Sequence, residues 1–337
     1  EEGVLFNSTK TTLIDCPEGK TGAYAIPDSV TTIGDSAFYR CSSLTSVTIT
    51  ESITEIGLGA FRDCSSLTSI TIPESVTSIS GYAFSGCSSL ASIAVASGNA
   101  EYASEEGVLF SSAKTTLIDY PDGKAGAYAI PNSVTSIRYH AFNDCSGLTS
   151  VTIPDSVTEI DWGAFERCSS LAKATFLGDA PNSFSFYVFN DTKEDFAIYY
   201  LSSSEGFTSP RWYEYNAVMI DEATYPAARW LLHHHLSHDT DLNDDDRLLM
   251  AYALDLDPDS HMTPSLPEPV IDPATGALSL TFYAASPGIT YRVETSVDLL
   301  TWSTDGVSLS ELGDDGQQTA SAEHGGANQF IRLVIEN

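Results

Sequence analysis

The chain has 337 residues, of which 42% are hydrophobic and 10% aromatic, so it carries enough apolar side chains for a sizeable core. Its 15 Lys and Arg residues stand against 46 Asp and Glu residues, which gives a net charge of -31. A field of that sign argues against nucleic acid as a partner, and the absence of any apolar stretch of about 18 residues argues against membrane insertion.

A 23-residue repeat occupies the first half of the chain. Residues 41–49 read CSSLTSVTI and residues 64–72 read CSSLTSITI; each block follows an Ala-Phe pair, and most lead into Ile-Pro-x-Ser-Val-Thr-x-Ile. The spacing of Leu44, Val47 and Ile49 fits L-x-x-L-x-L and predicts a short strand with these side chains inward. Ser46 and Thr48 then point outward, because side chains alternate along a strand. Stacking the coils gives a continuous core.

A longer period lies on top of the repeat. Residues 1–27 recur with few changes as residues 105–131, which indicates a tandem duplication. The block at 105 follows other repeats, whereas Glu1 opens in the middle of one. We therefore expect a processed piece of a longer precursor, whose first coil presents an open edge.

These features resemble the BspA-type leucine-rich-repeat proteins of bacterial surfaces. The resemblance rests on the AFxxCSSLTSVTIPxSVTxI units and on the GVLFxxxKTTLI segments at 3–14 and 107–118, and it covers about residues 1–220. It implies a mainly β leucine-rich-repeat solenoid of 23-residue coils with short parallel strands. It also implies export to the cell surface or medium, and a task in adhesion or recognition. It names no ligand.

The six cysteines favour a structural interpretation. Cys41, Cys64 and Cys87 occupy one position on successive coils, so all three face the same way, into the core. Cys16 is replaced by Tyr120 in the second copy, which implies no obligatory partner. We predict a ladder of buried free thiols, with disulfides and a metal site as the alternatives.

The repeats decay after residue 177, and residues 206–220 are predicted to close the solenoid. Trp212 and Tyr213 would cover the last apolar layer; sugar binding by this aromatic cluster is the alternative. The predicted domains are therefore the solenoid at 1–220, a helical acidic connector at 221–263 and a small antiparallel β-sandwich at 264–337. The last resembles the terminal β-domains of exported multidomain bacterial proteins.

The connector contains two sequence patterns that suggest a metal. Its alternating acidic residues resemble a calcium loop, although the usual Gly and closing Glu are missing. Calcium is thus an open alternative to a solvated acidic loop at Asp239, Asp241, Asn243 and Asp245. His234 and His238 have a spacing that can hold zinc, but a partly packed helix terminus is the favoured interpretation. No cofactor is required by the sequence.

No catalytic motif is present, so we predict that the chain is not an enzyme. The leading hypothesis is recognition or adhesion, with a protein or glycan bound on the outward strand face of the solenoid. The candidate residues are Ser46, Thr48, Ser69, Thr71, Ser92, Ser150, Thr152 and Thr175. The alternative hypothesis is self-association head-to-tail into a filament or surface layer, because an open strand edge recruits further strands. Each Ser or Thr also suits an exposed strand without any binding role.

Overall fold

The computed structural model describes residues 3–221 and six segments near the C-terminus, 270–271, 278–283, 290–296, 307–311, 317–322 and 330–336. The chain divides into two compact units, Glu1–Met219 and Ile220–Asn337. The described residues contain strands and turns but no helix. None of them forms a segment of the kind that crosses a membrane as a helix.

The first unit is a β-solenoid of about nine turns, which confirms the predicted fold class. The strands of its first copy are β1 (Leu5–Phe6), β2 (Thr12–Asp15), β3 (Thr21–Ala25), β4 (Thr32–Ile33), β5 (Ser43–Thr48), β6 (Glu55–Ile56), β7 (Ser69–Ile72), β8 (Ser78–Ile79) and β9 (Ser92–Val95). Those that follow are β10 (Tyr102–Glu105), β11 (Val108–Ser111), β12 (Thr116–Asp119), β13 (Gly126–Ala129), β14 (Ser136–Ile137), β15 (Leu148–Ile153), β16 (Glu159–Ile160), β17 (Lys173–Phe176), β18 (Ser183–Phe184), β19 (Ala197–Leu201), β20 (Arg211–Trp212) and β21 (Tyr215–Ile220).

Each coil contributes one longer and one shorter parallel strand. The short strands β2, β4, β6 and β8 pair in register, so that Leu13, Ile33, Ile56 and Ile79 form one inward row. The GVLF segment departs from this pattern, because β10, β11 and β12 form an antiparallel meander where the second copy begins. The joint between the copies therefore differs from every regular coil-to-coil contact.

Two ladders fill the core. Within each copy, the phenylalanine of one Ala-Phe pair stacks on the next, with ring centroids of Phe38 and Phe61 4.9 Å apart and those of Phe142 and Phe165 4.4 Å apart. The cysteines form the second ladder: Cys64 Sγ donates to the Phe38 carbonyl at 3.0 Å, and Cys168 Sγ donates to the Phe142 carbonyl at 3.0 Å. All six cysteines are buried free thiols, as predicted. Each of these contacts links one coil to the previous one.

The last coils form an aromatic end to the solenoid core. Trp212 is buried, with its ring centroid 4.5 Å from that of Phe184, and its Nε1 donates to the Gly206 carbonyl at 3.0 Å. Trp212 thus packs as the capping interpretation predicts. Tyr213 is exposed, and its ring stacks on Phe184 with centroids 5.1 Å apart.

The second unit contains antiparallel strands β22 (Val270–Ile271), β23 (Leu278–Tyr283), β24 (Thr290–Ser296), β25 (Val307–Leu309), β26 (Gln317–Ala322) and β27 (Phe330–Glu336). One sheet has the order β22-β23-β26-β25, and β24 pairs with β27. A small antiparallel sheet at the C-terminus is therefore confirmed, and its arrangement as a sandwich stays a prediction. The predicted helical connector lies outside the described residues.

Candidate binding surfaces

The strand face predicted as the binding surface is largely exposed. Ser46, Thr48, Ser69 and Thr71 are exposed, and Ser92, Ser150 and Thr152 are half-buried. The prediction for Thr175 is wrong, because this side chain is only 2% exposed. Thr175 lies between Thr152 and the much larger Tyr199 on the neighbouring strands, which explains why its hydroxyl is inaccessible.

The hydroxyls of this face do not form one continuous row. Ser69 lies opposite Ser92 on β9, but Thr71 lies opposite Ala94. The turn between β10 and β11 then meets β9, where the Ile93 N–H donates to the Gly107 carbonyl at 2.8 Å. This strand face therefore presents short polar stretches on either side of the joint.

Threonines on another side of the coil have a structural explanation. The Thr54 hydroxyl donates to the Thr31 carbonyl at 3.3 Å, and the Thr77 hydroxyl donates to the Thr54 carbonyl at 3.3 Å. The second copy repeats the contact between Thr158 and Thr135 at 3.4 Å. These hydroxyls link successive coils, which accounts for the recurring Ser-Val-Thr segment without a ligand.

The cysteines are poorly placed for nucleophilic chemistry. Burial raises the pKa of Cys145 well above its usual value, and hydrogen bonding with Cys64 together with burial does the same for Cys87. A reactive cysteine needs an accessible thiolate. The ladder is therefore a structural element.

A different surface carries exposed aromatic side chains. The residues two and three before the Phe of successive coils lie along one edge of the solenoid and are joined by backbone hydrogen bonds. Ser36 N–H donates to the Leu58 carbonyl at 2.8 Å, His140 N–H to the Trp162 carbonyl at 3.2 Å, and Gly163 N–H to the Phe186 carbonyl at 3.1 Å. We call this surface the aromatic edge; it comprises Leu58, Tyr82, Tyr139, His140, Trp162, Phe186 and Tyr187. Leu58, Trp162, Phe186 and Tyr187 are exposed, and Phe186 is 81% exposed.

The centre of the aromatic edge is a buried histidine. The His140 side chain is 3% exposed, and its Nε2 is hydrogen-bonded to the Tyr82 hydroxyl across the joint between the two copies. Its buried Nδ1 makes no hydrogen bond and lies 3.5 Å from Glu166 Oε2. Burial lowers the pKa of His140 to about 4, which outweighs the opposite effect of Asp161. The imidazole is therefore neutral at physiological pH.

A pocket of about 350 Å³ opens beside His140. Arg62, Tyr82, Trp162 and Glu166 contribute to its lining. It combines aromatic surface with hydrogen-bond donors and acceptors, which is typical of small-ligand sites. It lies within the first unit.

The joint also contains a buried carboxyl group. Asp122 Oδ2 accepts a hydrogen bond from the Gly86 N–H at 2.6 Å, and Cys145 Sγ approaches Oδ1 at 3.7 Å. Burial raises the pKa of Asp122 to about 8. Across the described residues, no group of three His, Cys, Asp or Glu side chains is placed to hold a metal ion.

The sequence interpretation missed the aromatic edge, although a signal was present. The two copies agree at most positions but differ at the corner of the coil, around a constant Ala-Phe pair. There Gly34, Asp35, Ser36, Tyr39 and Arg40 correspond to Arg138, Tyr139, His140, Asn143 and Asp144. When differences between two otherwise similar copies cluster in this way, the fold does not require particular residues at those positions.

The remaining candidates lie outside the described residues. These are the calcium candidates Asp239, Asp241, Asn243 and Asp245, and the histidines His234 and His238. Calcium binding therefore stays a prediction.

The repeats place the chain in a family. The model of the BspA type Leucine rich repeat region matches residues 20–124 and 122–205 in six copies, which is more than half of the chain. The chain therefore belongs to the BspA-type leucine-rich-repeat family. No curated protein sequence matches it.

Solved structures of leucine-rich-repeat proteins are similar in part. The pneumococcal vaccine antigen PcpA is 25% identical over 59% of this chain and 54% of its own, with a TM-score of 0.47. A leucine-rich cell surface protein from Faecalibacterium prausnitzii is 28% identical over 66% of this chain and 64% of its own, with a TM-score of 0.44. A leucine-rich-repeat protein from Eubacterium ventriosum is 22% identical over 60% and 67%, with a TM-score of 0.42.

Proposed function

We propose that the chain is a non-catalytic recognition protein of the bacterial cell surface or medium that binds an extracellular protein or glycan. The single observation that carries this proposal is the aromatic edge, where Trp162, Phe186 and Tyr187 are exposed in a row along the solenoid. A contiguous exposed apolar surface on a folded protein marks an interaction site more often than scattered apolar residues do.

The rigid scaffold supports a binding role. Backbone hydrogen bonds join Leu58, Trp162 and Phe186 to the neighbouring coil, so the backbone of this edge is held in place without a partner. Preorganised surfaces lose little conformational freedom on association. The BspA-type family membership and the excess of acidic residues fit a secreted or surface location.

The strand face predicted from sequence is the competing surface for the same function. Its hydroxyls at Ser69 and Thr71 are exposed, but they are flanked by Ala94 and interrupted at the joint. Self-association into a filament remains the alternative hypothesis from the sequence, and no contact within residues 3–221 favours it over recognition.

Two matched double variants of the full chain test the proposal. The edge variant is Phe186→Ser with Tyr187→Ser, and the strand-face variant is Ser69→Ala with Thr71→Ala. Binding to immobilised extracellular-matrix proteins and to a glycan array is measured for both. We expect loss of binding in the edge variant alone. Loss of binding in the strand-face variant alone would show that the strand face is the binding surface. The absence of any binding by the parent chain would refute a recognition role.

A further inference from the structure

We infer that the pocket beside Trp162 binds one uncharged pyranose ring of a glycan, with the indole as a stacking platform. This inference rests on the proposed function, because it assigns a ligand class to the aromatic edge. It concerns the pocket alone and leaves Phe186 and Tyr187 free to contact other parts of a partner.

The size of the pocket suits a single ring. Its volume of about 350 Å³ lies near the lower end of the range for small-ligand sites, roughly 300–1,000 Å³. Its lining includes Leu58, Gly59, Tyr82, His140 and Trp162, and the His140 ring contacts those of both Tyr82 and Trp162. A pocket of this size holds one residue of a longer chain and leaves its neighbours in solvent.

Trp162 is held in place while part of its ring stays accessible. Trp162 is 41% exposed. His140 meets it edge-on with centroids 4.5 Å apart, and Tyr187 meets it edge-on at 6.2 Å. Both contacts are nearly perpendicular, at 83° and 88°, so they fix the orientation of the indole. A fixed aromatic face favours stacking against the C–H face of a sugar, because little side-chain entropy is lost on binding.

The polar groups around the indole include both donors and acceptors. Glu166 is partly exposed and lies 3.5 Å from His140, which the Tyr82 hydroxyl holds from the other side. The Arg62 guanidinium lies over the Tyr82 ring at 5.9 Å from its centroid. A carboxylate accepts and a guanidinium donates in planar, two-pronged geometry, and this matches the neighbouring hydroxyls of a sugar ring.

The charged side chains around the pocket favour an uncharged ligand. The pocket is lined by two guanidinium groups, Arg62 and Arg167, which disfavour a cation, and by the Glu166 carboxylate, which disfavours an anion. Arg167 also pairs with Asp144 at 3.5 Å. The net charge of -31 repels sialylated and sulfated glycans at longer range. A neutral ligand that uses both donors and acceptors avoids each of these penalties.

The test uses the full chain and a panel of neutral oligosaccharides with gluco, galacto, manno and N-acetylglucosamine configurations. A sialylated oligosaccharide and tetramethylammonium are the charged probes. Affinity is measured by calorimetry and by tryptophan fluorescence. We expect at least one neutral oligosaccharide to bind, and Trp162→Ala to weaken it about tenfold or more, as for a central aromatic anchor. Trp162→Phe should retain part of the affinity, and Glu166→Gln should weaken binding without unfolding the chain.

Phe186→Ser is the matched control, because Phe186 lies on the same edge outside the pocket. It should leave the affinity for a short oligosaccharide unchanged. The inference is overturned if no neutral oligosaccharide binds, if Trp162→Ala binds as well as the parent chain, or if only a charged probe binds. If matrix proteins still bind through the edge in any of these cases, the glycan assignment is wrong and the proposed function stands. If, in addition, the Phe186→Ser and Tyr187→Ser double variant binds matrix proteins as well as the parent chain does, the proposed function at the aromatic edge is wrong too.

Discussion

Replacing the buried carboxyl group at the joint with an amide should stabilise the protein. Asp122 is 6% exposed, and its Oδ2 accepts the Gly86 N–H at 2.6 Å. In Asp122→Asn the amide oxygen can accept the same hydrogen bond, and Cys145 keeps the Tyr120 carbonyl as a partner at 3.4 Å. The variant therefore removes an ionisable group from a buried position while the local contacts are retained.

The size and sign of the effect follow from the two pKa values of this group. Burial raises the pKa of Asp122 from 3.8 to about 8 in the folded chain. Between these values the folded state binds more protons than the unfolded state, so the stability from this group falls as pH rises. At about 1.4 kcal/mol per pH unit, the carboxyl costs about 2 kcal/mol at pH 5 and about 4 kcal/mol at pH 7 relative to a neutral group.

Urea denaturation followed by circular dichroism at pH 5, 6 and 7 measures this difference. We expect the midpoint of Asp122→Asn to exceed that of the parent chain by an amount that grows with pH. Glu18→Gln is the control, because Glu18 is the exposed counterpart of Asp122 in the first copy and should change little. A difference that is constant over this pH range, or a variant that is less stable at pH 7, would refute the buried-carboxyl explanation.

Three further predictions concern the joint and the core. His140 has its pKa lowered to about 4, so the unfolded state binds the additional proton between pH 6.5 and 4 and stability falls on acidification. In urea denaturation, His140→Gln should remove about 2 kcal/mol of this loss of stability at pH 5. The contribution of His140 to stability thus changes with pH in the direction opposite to that of Asp122. An unchanged dependence of stability on pH in the variant would contradict this prediction. Gly59→Ala should lower the free energy of unfolding by about 1 kcal/mol, because residue 59 has a positive φ. Gly163→Ala should lower it further, because the added Cβ would lie 2.7 Å from His140 Cε1. Equal thermal midpoints for the two variants would exclude that contact. The six cysteines should not react with a thiol reagent until the chain unfolds, while an added Ser42→Cys on the exposed surface should react at once.

The periodic part of the fold was predictable because one spacing repeats. The interval between Leu44, Val47 and Ile49 fixes which side chains point inward, and stacking turns that pattern into a core. The burial of Thr175 was not predictable in the same way. It depends on Tyr199 in the next coil, where the repeat has decayed and the register cannot be read from the sequence.

The pocket was not predictable from the 23-residue period because its contacts do not follow that period. Tyr82 and His140 are 58 residues apart, as are Ser85 and Asn143, whose side chains are also hydrogen-bonded across the joint. The two copies look equivalent over their first 49 residues, yet Tyr82 contacts His140 of the second copy, at a position where the first copy has Ser36. The pocket therefore depends on residues in which the two copies differ.

The joint explains why a pocket forms on an otherwise regular solenoid. Within each copy, backbone hydrogen bonds join successive coils at this edge. The residue before the Ala-Phe pair is small in three coils, at Ser36, Gly59 and Gly163, and large in the two coils that meet at the joint, at Tyr82 and His140. At the joint, Tyr82 and His140 contact each other through their side chains and so bridge the two copies. The small residues on both sides leave space next to this pair, and the regular coils keep that space open. A pocket built in this way needs no ordering of loops when a ligand binds, so its affinity depends mainly on the few side chains that line it.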